Sequence, residues 1–390
     1  MIKNPFLLIC FLLLIEFAIL YISNQARFKK YFQFLPSIFW IYFLPMLAST
    51  FGMIDAKSPI YQKITTHLLP ASLVLLLLSV DIKSIFKLGK EAIFMFFIGS
   101  AGIVLGTPLV FFLFKNWIGN DFWAGFGAIS ASWTGGSANM IAVKEALGVK
   151  DAVFLPMVIV DTIVPYVWMG ILVAIVGLQP LFDRFNKSNR KVLDEINRRV
   201  AKVTAAGKTQ WRVSTTVFIF ALAILGSFFS QFLAGFLPVV KDIISAYAWT
   251  VIIVSFLGIS LSFSPIRKLE AFGASRVGYF LLYFVLTSIG AKASLNNIGS
   301  AFILISAGFL LVLIHAIFLF IAARIIKAPM FLVAVASQAN IGGVASAPIV
   351  AEIYQPGLAS VGLLLAILGN IVGTYLGILT GGLCRWVGGM

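Results

Sequence analysis

Long apolar runs separated by short polar breaks set the pattern of this chain. A helix crossing the hydrocarbon core of a bilayer needs about 20 mostly apolar residues. Segments of that kind fall at 6–23, 34–54, 64–80, 92–114, 122–147 and 152–177, then at 213–233, 246–264, 277–290, 301–325, 330–350 and 358–383. The fifth segment of each half differs from the others. The first carries Ser130-Ala131-Ser132-Trp133-Thr134-Gly135-Gly136-Ser137-Ala138-Asn139, and the second Ser337-Gln338-Ala339-Asn340-Ile341-Gly342-Gly343-Val344-Ala345-Ser346. Irregular polar backbone at membrane depth survives only where protein or a water-filled cavity satisfies it. These two segments are therefore expected to be re-entrant or broken, not plain spans.

The two motifs belong to a wider correspondence. Laying Gly135-Gly136 on Gly342-Gly343 also matches Ser130 with Ser337 and Glu145 with Glu352. Asp161-Thr162-Ile163-Val164-Pro165-Tyr166 then aligns on Asn370-Ile371-Val372-Gly373-Thr374-Tyr375, and Ser79 to Lys83 on Ser288 to Lys292. The shared order predicts a duplicated chain: a first half over 1–182, a linker over 183–212 and a second half over 213–390.

Composition and charge sharpen this picture. Hydrophobic residues make up 61%, charged residues 11%, and mean hydropathy is +1.03, which excludes a soluble domain and predicts an all-α, multi-pass membrane protein. The net charge of +15 sits in short runs between apolar segments, a positive-inside pattern and not a nucleic-acid surface. Anionic membrane lipid is the expected contact of those runs. Cys10 and Cys384 form neither a disulfide framework nor a metal spacing. The stretch Phe6–Tyr21 lacks a small-residue cleavage site, so it is expected to stay as a first helix.

Topology follows from charge and parity. The basic linker from Arg184 to Arg212 is expected in the cytoplasm, as are the loops holding Arg27-Lys29-Lys30, Arg267-Lys268-Arg276 and Arg324-Lys327. These placements agree if each fifth segment enters and leaves on one face. That leaves about ten transmembrane helices, five per half, so the repeats are inverted and both termini face outward. A broken helix that truly crosses stays open if a neighbouring segment does not span. Gly207-Lys208-Thr209 ends like a phosphate loop, but Lys202 stands where its first glycine belongs, so no ATP hydrolysis is expected.

The candidate chemistry gathers at the motifs. Gly135, Gly136, Gly342 and Gly343 permit backbone geometries closed to other residues and the close approach of a ligand. Ser132, Thr134, Ser137, Asn139, Gln338, Asn340 and Ser346 supply hydroxyl and amide partners for substrate or ion. The plainer alternative is that paired glycines only let helices pack closely. Asp161, between Pro156 and Pro165 in an apolar helix, is costly unless paired, protonated or bound to Na⁺, and is expected to couple ion to transport; its mate is Asn370. Glu16 is expected at a scaffold pairing or a dimer contact, Glu145 and Glu352 at solvated helix ends, and His315 packed and neutral. Trp133 either stacks on substrate or fills space, and Tyr166 and Tyr375 are expected to pack. No H-E-x-x-H, nucleophile elbow or convergent Cys/His pair is present, so the chain is not expected to be an enzyme.

The glycine-doublet motifs in inverted halves resemble those of the bacterial sodium/glutamate symporters and the 2-hydroxycarboxylate carriers. Trp133-Thr134-Gly135-Gly136-Ser137-Ala138-Asn139-Met140, with Asn340-Ile341-Gly342-Gly343-Val344-Ala345-Ser346-Ala347-Pro348, is more closely similar to the YjcL-like family of uncharacterised bacterial membrane proteins, domain of unknown function 819. The carrier resemblance implies an elevator-type architecture: a mobile core, a fixed dimerisation scaffold, and Na⁺ or H⁺ as coupling ion without any cofactor. The combined expectation is an ion-coupled secondary transporter of the bacterial cytoplasmic membrane, a homodimer, moving a small anionic organic solute. A channel on the same scaffold is the alternative; a receptor or an intramembrane hydrolase fits less well.

Overall fold

A computed structural model describes residues 1–28, 31–32, 37–189, 192–193, 195–196, 212–238, 246–292 and 301–389. Lys29 and Lys30 lie outside the described residues, and so does most of the basic stretch 190–211, including Lys202 and Gly207-Lys208-Thr209. The principal helices are α1 (Pro5–Ser23), α2 (Ser37–Thr50), α3 (Ile60–Leu78), α4 (Lys90–Ile118), α5 (Phe122–Gly135), α6 (Ser137–Ala146), α7 (Asp151–Ala174) and α8 (Gln179–Asn186). The second half adds α9 (Val213–Ala234), α10 (Ala246–Ser262), α11 (Ala274–Lys292), α12 (Ala301–Ile326), α13 (Met330–Ile341), α14 (Gly343–Tyr354) and α15 (Ala359–Gly388).

Among the described residues, 8 helices are long and apolar enough to cross a membrane, or 9 if α10 and the turn Pro265–Phe272, bent by 92° from it, form one span. Sequence led to about ten. Two of the expected spans are shorter within the described residues: α2 has 14 of them and α10 has 17. The second stops for a local reason. Ser264 caps the following turn by accepting from Ile266 N at 3.2 Å, and Pro265 starts that turn. Large apolar side chains such as Val217, Phe218, Leu225, Phe229 and Phe232 on α9 stay exposed, a surface suited to a hydrocarbon solvent.

The chain divides into two compact units. One comprises residues 1–79, 148–162 and 209–301, the other 80–147, 163–208 and 302–390. Each draws on both sequence halves, so the units cut across the division into 1–182 and 213–390.

The first unit is built around α3. Its Ala71, Leu75 and Leu78 pack with Ile219 and Ala223 of α9 and with Ala274, Val277 and Leu281 of α11. Glycines let the surrounding helices come close: a β-carbon at Gly258 would lie 2.8 Å from Leu77 Cβ, and one at Gly226 2.9 Å from Val74.

The second unit holds both motifs. Its core joins Met95 and Phe96 of α4, the run Met330–Ala336 of α13, and Ala347, Val350 and Ala351 of α14 with Val361, Leu364 and Leu365 of α15. Residues expected in a polar linker take part in it. Asp183 and Asn186 are buried; Asp183 accepts from Met330 N at 2.8 Å, and Asn186 donates to the carbonyls of Ala323 at 3.0 Å and Ala328 at 2.8 Å. They anchor the connection between α12 and α13.

Candidate functional site

Each glycine doublet ends one helix and starts the next. Gly136 separates α5 from α6 with φ 88° and ψ 171°, a conformation that L side chains rarely adopt. Gly342 and Gly343 do the same between α13 and α14, with Gly343 at φ 60°. Within each doublet the tasks divide. A β-carbon at Gly135 would come 2.6 Å from Gly373 Cα, and one at Gly342 would collide with the Gln338 amide and the Ser346 hydroxyl. Gly136 and Gly343 have room around them: the first would meet only Asn370 Oδ1, at 3.4 Å, and the second nothing within 4 Å. The first glycine of each pair supplies space and the second supplies the backbone angle.

Both motifs fold back on themselves. A β-carbon at Gly127 on α5 would lie 2.8 Å from Leu147 Cδ1, although a continuous helix would hold those residues about 30 Å apart. In the second motif Gln338 Nε2 donates to Ser346 Oγ at 2.7 Å across the doublet. Along α7, Pro165 accepts from Gln338, while Leu172 accepts from Tyr354 Oη at 2.7 Å, so the far end of α14 returns beside the arm it left. The two segments are hairpins and not collinear broken helices. Both are stapled at one corresponding position: Asn139 Nδ2 donates to Gly135 O at 2.6 Å, and Ser346 takes the bond from Gln338.

The first hairpin lies against a glycine stripe on α15. Gly369, Gly373, Gly377 and Gly381 recur every fourth residue and face Gly127, Ala131 and Gly135 of α5. With no side chains between them the backbones approach closely; a β-carbon at Gly373 would be 2.5 Å from Gly135 Cα. Polar contacts flank the stripe. Thr374 Oγ1 donates to Asn139 Oδ1, Asn139 Nδ2 reaches Asn370 O at 3.5 Å, and Ser130 Oγ donates to Thr380 Oγ1 at 3.1 Å.

The second hairpin is held by side chains. His315 Nδ1 donates to Gly99 O at 2.8 Å, which leaves Nε2 as the acceptor for Ser337 Oγ at 3.0 Å. Ser337 in turn accepts from Trp168 Nε1 at 2.9 Å. His315 is fully buried with both ring nitrogens engaged, the packed histidine expected from sequence. The Asn340 amide donates to Phe96 O and Ala336 O, both at 3.2 Å, and accepts from Ser100 Oγ at 2.8 Å.

The hairpins meet on α15. Pro348 N would lie 2.9 Å from a β-carbon at Gly362, and Thr134 and Gly135 lie against Gly369 and Gly373. The stretch 362–373 is therefore flanked by both hairpins, and half-buried Asn370 stands within it. Gly136, Ser137, Ala138, Gly342 and Gly343 are half-buried, and Val344 and Ala345 exposed, so the tips are the open part of the motifs. The N-termini of α6 and α14 begin there, each with the partial positive charge of its dipole.

The other expected site residues are buried. Thr134 Oγ1 donates back to Ser130 O at 2.8 Å, and Asn139, Gln338, Asn340 and Ser346 make the bonds above. Ser132 is 4% exposed. Gln338 Oε1 and Trp133 Nε1 have no hydrogen-bond partner among the described residues. Asp161 is half-buried on α7, four residues before Pro165. Two expectations need correction. Glu145 is not at a solvated end: it is 10% exposed and pairs with Lys144 at 2.9 Å. Glu16 is wholly buried within one chain and so cannot reach a second copy. Glu352 is exposed, as expected, and accepts from Gly357 N at 3.0 Å. Sequence reasoning missed the α15 stripe, although its four-residue spacing is visible, and missed Ser100 and Trp168, whose roles are set only by packing.

Comparison with known proteins agrees with a membrane protein. The sequence profile of the family described as "Protein of unknown function (DUF819)" matches residues 11–386. The "Uncharacterized membrane protein YjcL" of Bacillus subtilis (strain 168) is 25% identical over 354 residues, covering 85% of this chain and 86% of that protein.

Proposed function

We propose that this chain, which belongs to the DUF819 family, is an ion-coupled secondary transporter for a small anionic organic solute. One observation carries the reading: two fold-back glycine hairpins pack along the same helix, α15, with Asn370 beside the tip of the first. Paired helix termini directed at one place are how discontinuous helices make a binding site in carriers. The dipoles of α6 and α14 favour an anion there. Gln338 Oε1, buried beside Gly342 and without a partner among the described residues, offers an acceptor to a cation.

The inverted repeat and the elevator arrangement belong to this proposal. They are supported by the way each half contributes its first three helices to one unit and its hairpin to the other. In this reading the hairpins are re-entrant from opposite faces, the termini lie outside, and the protein works as a homodimer in the bacterial cytoplasmic membrane. Asp161 carries the coupling ion, Na⁺ or H⁺.

Metabolite comparison between a deletion strain and its parent identifies solutes for uptake into proteoliposomes. Asp161→Asn should abolish accumulation driven by a Na⁺ or H⁺ gradient while solute exchange persists, since Asn already occupies the matching position at 370. Gradient-driven accumulation at the wild-type level in that variant would remove Asp161 from the mechanism. Flux that only follows the solute's own gradient in the wild type would make the protein a channel.

A further inference from the structure

A second ionisable group lies in the first unit. The buried positions of α1 are Leu8, Leu12, Glu16 and Ile19, one stripe of a helix whose other residues are almost all apolar. Glu16 is 0% exposed, and neither carboxyl oxygen has a hydrogen-bond partner among the described residues. Beside it the Phe17 ring packs on Phe280 of α11, with centroids 5.5 Å apart. Among the described residues the helices packed most closely against α1 are α2 and α11. Their titratable groups are Tyr42 on α2 and Arg276, Tyr279, Tyr283 and Lys292 on α11. None of these hydrogen-bonds to either carboxyl oxygen of Glu16.

An ionised carboxylate in this setting would carry a desolvation cost that no hydrogen bond among the described residues offsets, and such groups neutralise instead. Two species could neutralise it. A hard cation needs a shell of oxygen ligands, whereas the other buried positions along this stripe are Leu8, Leu12 and Ile19. A proton needs no shell. We propose that Glu16 is a proton-binding site: a neutral carboxylic acid at physiological pH, held in the seam of α1 with α11. The inference is independent of the transport reading and of Asp161.

The test uses the purified full-length protein in detergent or bilayer at pH 7. Infrared spectroscopy should show a protonated-carboxyl carbonyl band in the wild type that Glu16→Gln diminishes. The amide keeps the shape of the neutral acid, so Glu16→Gln should melt at or above the wild-type temperature. Glu16→Leu, which removes a buried polar group without a partner, should also melt no lower. An unchanged protonated-carboxyl band in Glu16→Gln would overturn the proposal. So would a marked drop in melting temperature, or failure to fold, in both variants, because either would reveal a partner that needs the charged form.

Discussion

The two hairpins share a motif but are held in place by different physics. The first lies on α15 by backbone approach, through the stripe Gly369, Gly373, Gly377 and Gly381, with polar contacts at Asn139–Thr374 and Ser130–Thr380 beside it. The second is gripped by side chains: His315 and Trp168 on Ser337, Ser100 on Asn340, and Gln338 on Ser346. Although Gly362 also lets α15 approach the backbone of the second hairpin, added bulk at the first glycine of the doublet should damage the first hairpin most, and loss of a polar partner the second. The tips, by contrast, are built alike. Each pairs one crowded glycine with one at positive φ.

The largest effect should come from filling the glycine seam. Gly135→Ala or Gly373→Ala sets a methyl group against fixed backbone, an overpacking expected to destabilise by about 3 kcal/mol or more. The atoms nearest a methyl group at Gly342 are side-chain atoms of Gln338 and Ser346, which can shift more readily than backbone, so about 1 kcal/mol is expected for Gly342→Ala. Unfolding midpoints in detergent would measure both. Equal losses at the two positions would break the contrast between the hairpins.

Removing a hydroxyl should reverse the ranking. Ser337→Ala leaves His315 Nε2 buried without a partner, removes the acceptor of Trp168 Nε1 and should cost about 2 kcal/mol. Thr374→Val removes one bond to Asn139, whose amide nitrogen keeps Gly135 O, and should cost about 1 kcal/mol. A double-mutant cycle of Ser337 with Trp168 would sharpen this, since coupling should vanish when either side chain is removed. A larger loss in Thr374→Val than in Ser337→Ala would show that the first hairpin also depends on its polar contacts.

The smallest differences concern the second glycines. Gly136 combines φ 88° with ψ 171°, so Gly136→Ala should cost about 2 kcal/mol of strain. Gly343, at φ 60°, sits in a region an L residue can enter for about 1 kcal/mol. The order of the two melting temperatures is the readout. If Gly343→Ala melted below Gly136→Ala, the backbone angles at the two tips would not be what separates them.

Sequence by itself determined the membrane class, the helical content and the place of the two interruptions, because each rests on local chemistry. Apolar runs of sufficient length have one stable form in hydrocarbon, and Gly135-Gly136 and Gly342-Gly343 mark where that form breaks. The family resemblance also followed from those residues, and the match over 11–386 agrees with it. What sequence could not assign was the work of the polar flanks. Asn139, Gln338, Asn340 and Ser346 were expected to supply partners to substrate or ion; the structure shows the hydrogen bonds they make within the fold, and the half-buried and exposed positions fall at the tips. A hydroxyl or amide reads the same in a sequence whether its partner is a solute or a neighbouring carbonyl. Only tertiary structure decided that, as it decided the fold-back of the motifs, the interleaved units and the isolation of Glu16. Each depends on which helices meet, and that is settled by contacts between residues far apart in the chain.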